Sequence, residues 1–118
     1  MVIREIGGYT SAIASPSGEV VIDMHSYGTA FGIEIVRIMI DQTAGSGTTF
    51  IFSIGDVSGF VTGSIHEKYL SGVTAAATTL DVTVSKFMRA NSSGKLYFRF
   101  TPDAGADNVY SYSVMYKR

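Results

Sequence analysis

The chain is 118 residues long, with a formal net charge of -1 and no cysteine. It is long enough to close a core without a disulfide, and it has no thiolate for a zinc site or a nucleophile. Charged residues make up only 16%, against about 25% in ordinary soluble domains, and the near-neutral balance disfavours nucleic acid, whose phosphates need a basic face.

Thirteen glycines and two prolines cut the chain into short segments. Most alternate with period two and are rich in Val, Ile, Thr, Tyr and Phe, the pattern of half-buried strands. The N-terminal Met1-Val2-Ile3-Arg4-Glu5-Ile6 has no basic stretch leading into an apolar run, so it does not read as a signal peptide. No run of about eighteen apolar residues suggests a membrane helix. The first predicted strands cover residues 2–6 and 9–14, and Ser15-Pro16-Ser17-Gly18 forms a turn. A third strand puts Val20, Ile22 and Met24 on one face, with Asp23 opposite. Residues 31–41 give the longest strand signal. Phe31, Ile33 and Ile35 alternate with Gly32 and Glu34, then the phase switches to Val36, Ile38 and Ile40. A one-residue phase change is what a β-bulge produces, the alternative being a strand buried on both faces. Ala44-Gly45-Ser46-Gly47 reads as a hairpin loop, with the return strand over residues 48–54 placing Phe50, Phe52 and Ile54 on one face.

Shorter pieces follow: residues 59–65 as strand, a loop with His66, Glu67 and Lys68, then Tyr69-Leu70. Residues 71–79 are small and polar, and Ala75-Ala76-Ala77 suits at most a brief helical turn. Leu80, Val82 and Val84 alternate with Asp81, Thr83 and Ser85, again a strand. Residues 95–101 carry Leu96, Phe98 and Phe100 on one face and Tyr97 and Arg99 on the other. After a loop over residues 102–108, the closing strand, residues 109–117, carries Tyr110, Tyr112, Val114 and Tyr116 opposite Ser111, Ser113 and Met115. This predicts one all-β domain over residues 1–118, a sandwich or a barrel, with an antiparallel two-sheet sandwich of about eight to ten short strands, jelly-roll-like in form, as the first choice.

Chemistry-bearing residues are sparse. His25, with Asp23 and a nearby serine, makes a triad only on paper. No nucleophile sits on a strained elbow, and His25 and His66 lack zinc-site spacing, so both read as turn residues. Glycosidase chemistry needs two carboxylates across a cleft; Glu34 with Asp81, or Asp23 with Asp41, are arbitrary pairings that solvated faces explain equally well. The cluster Asp103-Ala104-Gly105-Ala106-Asp107-Asn108 offers Asp103, Asp107 and Asn108 as calcium ligands, but the closing glutamate of a calcium loop is missing and the same residues build an ordinary turn. Gly45-Ser46-Gly47 opens no helix and therefore no phosphate cradle. These readings imply no catalytic residue, no cofactor and no resident metal. The stripe Tyr110, Tyr112 and Tyr116 suits core, protein interface or glycan platform, and together with Tyr97 these tyrosines are the interface candidates.

Short alternating strands, Ser/Thr/Gly-rich loops, few charges, and the closing Lys95-Leu96-Tyr97-Phe98-Arg99-Phe100 and Tyr110-Ser111-Tyr112-Ser113-Val114-Met115-Tyr116 resemble small β-sandwich or jelly-roll virion proteins of tailed bacteriophages, of the capsid decoration (cement) type. That resemblance implies a non-enzymatic structural protein, made in the host cytoplasm and resident in the virion, that binds a capsid shell and associates with itself, often as a trimer. A tail or fibre component is equally compatible. Independently of it, scarce charge and proline leave sheet edges to be covered by partners, which points to a homo-oligomer with no role for nucleic acid or membrane. The competing expectation is a small carbohydrate- or ligand-binding module.

Overall fold

The computed structural model describes residues 2–28, 32–59 and 78–118, and residues 70–74 as backbone. Among these residues eight strands run in chain order: β1 Arg4–Tyr9, β2 Gly18–Asp23, β3 Ile33–Ala44, β4 Phe50–Gly55, β5 Leu70–Thr74, β6 Thr79–Met88, β7 Lys95–Pro102 and β8 Val109–Lys117, with a 3-10 turn over Met24–Tyr27 after β2. They form two four-stranded antiparallel sheets, ordered β1-β8-β3-β6 and β2-β7-β4-β5. Apart from β4 and β5, each strand lies in the opposite sheet to the one before it. That alternation is the connectivity of a jelly roll, the predicted form.

The inward stripes follow the sequence periodicity. Leu96, Phe98 and Phe100 of β7 meet Tyr110, Tyr112, Val114 and Tyr116 of β8 across the core, all buried. Phe100 stacks on Tyr110 with ring centroids 4.9 Å apart, and Phe50 lies 4.8 Å from the same tyrosine. Contacts of this kind add about 0.5–1.5 kcal/mol each beyond the area they bury. The phase switch in β3 is a bulge. The register with both β6 and β8 shifts between Ile35 and Arg37, so Ile33, Ile35, Ile38 and Ile40 all point inward while Arg37 reaches solvent.

Several connections differ from expectation. Ala44-Gly45-Ser46-Gly47 does not make a hairpin, because β3 and β4 belong to opposite sheets and the loop carries the chain across the core. The same holds for β7 and β8. Of the strand expected at residues 9–14, Tyr9 ends β1 and Ile13 makes an isolated bridge to Asn108. Residues 71–74, small and polar with no strand signal of their own, continue strand β5 on the edge of the second sheet, where pairing with β4 supplies the backbone partners that small side chains do not signal. The expected strand at residues 59–65 (but for Gly59), the loop with His66, Glu67 and Lys68, and the turn at residues 75–77 lie outside the described residues. Among the described residues no helix is long and apolar enough to cross a membrane.

Candidate functional site

The antiparallel register decides which chemistry-bearing residues meet. At the end where β3 finishes and β8 begins, three connections converge on Asn108, which is fully buried. Its Oδ1 accepts from the Gly47 N–H at 2.9 Å, and its Nδ2 donates to the carbonyls of Ile13 at 3.1 Å and Ala104 at 2.9 Å. Its backbone pairs with Ile13 in both directions. A Cβ on Gly45 would stand 2.4 Å from that same Oδ1, so glycine is what lets this loop close over the amide. Beside it the Asp103 carboxylate accepts from the Thr48 hydroxyl and from the N–H groups of Thr48 at 2.8 Å and Thr49 at 3.2 Å. These donors favour the anion and pull its pKa down to about 2. The oxygens of Asp103 and Asn108, considered as calcium ligands, are thus directed at donors of the adjoining loop, and Asp107 stands exposed beside them. The pair works as a cap and a tie. Sequence reasoning missed the tie, because Asn in a Gly- and Asp-rich stretch has the same signature whether it faces water or is buried.

At the opposite end, Asp23 caps the 3-10 turn, accepting from the His25 N–H at 3.1 Å and pairing with Lys95 at 3.2 Å. The Lys95 ammonium, then the His25 N–H, lower its pKa. The carboxylate therefore serves the His25 backbone, whereas a triad would need it on the imidazole. His25 is exposed. The paper carboxylate pairs separate too. Glu34 accepts from the Ser85 hydroxyl at 2.9 Å and lies 3.9 Å from Lys117, while Asp81 holds Arg37 through two hydrogen bonds of 2.9 and 2.8 Å. Asp23 and Asp41 sit in different sheets.

Of the interface candidates, Tyr110, Tyr112 and Tyr116 point into the core with 0%, 8% and 1% exposure. Their outward neighbours on β8 are Ser111, Ser113 and Met115, so this stripe belongs to the packing between sheets and not to an outer surface. Tyr97 is half-buried on the outer face of the second sheet, in register with the exposed Val21. The exposed apolar groups lie elsewhere: Val2, Ile3 and Tyr9 around edge strand β1, Phe87 on edge strand β6, and Val21, Ile51 and Val57 over the second sheet.

The outer face of the first sheet holds a depression of about 300 Å³, lined among others by Glu5, Met39, Asp41, Asp81, Ser111 and Ser113. Asp41 lies toward the loop end, where Asp103 and Asp107 also stand, and among the described residues none of the three is in an ion pair. The far end collects Arg4, Lys86, Arg89, Lys95, Lys117 and Arg118 against Glu5, Asp23, Glu34 and Asp56. Among the described residues the sandwich thus carries an acidic excess at one end and a basic excess at the other, although the net charge of the chain is close to zero.

No family model matches the chain, and no curated protein matches it. Among solved structures it is similar to the cryo-EM structure of the giant freshwater prawn Macrobrachium rosenbergii extra small virus (XSV) virus-like particle, at 9% identity and a TM-score of 0.35, over 100% of this chain and 81% of that one.

Proposed function

We propose that this chain is a non-catalytic structural subunit, folded as one unit, that associates with its own copies and docks on a larger protein lattice. Capsid decoration in a virion is the specific role it fits, and a tail or fibre position would use the same surfaces. A jelly roll hosts capsid subunits, lectins and cupins alike, so the reading rests on surface chemistry rather than on topology. The observation that carries it is edge strand β1. Among the described residues its backbone pairs only with β8, and the exposed Ile3 and Tyr9, 54% and 75% accessible, stand at its two ends. It contains no proline, and its two charges, Arg4 and Glu5, sit at its start. An edge left this open is a template for another chain. Light scattering across a concentration series tests the proposal. A closed oligomer such as a trimer is expected, and Tyr9→Lys or Ile3→Lys should lower its mass. A monodisperse monomer at micromolar concentration would count against assembly and favour a ligand-binding module.

A further inference from the structure

We infer that two copies of this chain meet head to tail, the basic end of one against the acidic end and adjoining outer-face depression of the next. This rests on the assembly reading and names the partner and its orientation. The antiparallel register carries Asp41, Asp103 and Asp107 to one end and Arg4, Lys86, Arg89, Lys117 and Arg118 to the other. Among the described residues, Arg4, Lys86 and Arg89 have no carboxylate within ion-pair distance, and Arg118 donates to the Gly28 carbonyl at 2.7 Å. Asp41 is exposed and faces Ser111 and Thr79 across its neighbouring strands. A two-fold contact through the acidic end would set like charges against each other, and one through the other end would bring its cationic excess together. A head-to-tail contact sets unlike charges together, and such a heterologous contact closes into a ring when the rotation permits. The concavity of about 300 Å³ gives a long Lys or Arg side chain room to reach Asp41, while Asp81 on its rim is already held by Arg37 and Glu5 by the Ser113 hydroxyl. Complementary charge of this kind sets orientation and register. Because Asp41, Arg4, Arg89 and Arg118 are exposed, the contact weakens as salt shortens the screening length toward about 8 Å and below.

The test is sedimentation velocity on the full chain over a salt series, with Asp41→Lys as one variant and Lys86→Glu with Arg89→Glu as the other. Association should weaken with salt in the unaltered chain, and each variant alone should associate about tenfold more weakly. Mixing the two variants should restore association, since each retains the end the other lacks. The salt series on the unaltered chain needs no variant and stands even if one folds poorly. An oligomer indifferent to salt and to both reversals, or reversals that mixing does not rescue, would overturn the head-to-tail contact and leave assembly through another surface standing. A monomer at every salt concentration would overturn both.

Discussion

The two ends of the sandwich use the same three residue types to different effect. At the acidic end Asn108 is fully buried and joins three connections, Gly45 closes against it, and Asp103 caps the entry to β4. At the basic end Asn91 is half-buried. Its Oδ1 accepts from Ser93 and Lys95 of its own turn, and its Nδ2 reaches the Asp56 carbonyl at 2.9 Å. Gly94 lies against the His25 ring, and Asp23 caps the 3-10 turn. The difference lies in access to water. A polar group lost from the first end strands buried partners, whereas water can replace much of what is lost at the second.

The largest expected effect comes from the two asparagines. Asn108→Ala leaves the Gly47 N–H and two carbonyls without their partner and should cost about 3 kcal/mol, against about 1 kcal/mol for Asn91→Ala. Urea denaturation of both variants measures the gap, and equal losses would show that the ends are equally dry. The glycines sharpen the same contrast. Gly45 has φ 108° with the tied Asn108 amide 2.4 Å from a would-be Cβ, while Gly94 has φ 76° and meets the exposed His25 side chain at 2.5 Å. Gly45→Ala should therefore cost about 2 kcal/mol and Gly94→Ala about 1 kcal/mol, the second being chiefly the left-handed backbone penalty.

A third comparison runs through pH. Asp103 titrates at about 2 in the folded chain against an ordinary value of 3.8, and Asp23 is lowered as well. A depressed carboxylate contributes stability that is complete above the unfolded value and lost as pH falls through the folded one. Stability should thus decline between about pH 4 and pH 2, and thermal melts of Asp103→Asn should show a flatter acid limb than those of Asp23→Asn. The smallest effect is expected beneath the acidic end. The Tyr110 hydroxyl is buried without a hydrogen-bond partner among the described residues, and burial, with Asp103 nearby, pushes its pKa up to about 12. Tyr110→Phe should leave stability unchanged or raise it by up to about 1 kcal/mol, because a buried hydroxyl without a partner costs its desolvation.

Much of the fold was legible because strand periodicity is local. Side chains alternate across a pleated backbone whatever the strand pairs with, so Leu96, Phe98 and Phe100, the Tyr110 to Tyr116 stripe, and the bulge after Ile35 could all be read from spacing. The candidate surfaces were far less legible. Tyrosines at period two announce a face but not whether that face meets a second sheet or solvent, and here the second sheet covers three of the four interface candidates.

Which sheet each strand joins was decided by tertiary structure alone. The loops at residues 45–49 and 103–108 have the composition of hairpin turns, yet each carries the chain from one sheet to the other. Alternation is identical in both cases, and the choice depends on which distant strand supplies the partner, as β8 and β6 do for β3. The sequence by itself determined the all-β class, the inward stripes and the near-zero net charge. The burial of Asn108 and the separation of that charge into an acidic and a basic end came only with the register, because antiparallel pairing brings residues far apart in the chain to the same end of the sandwich.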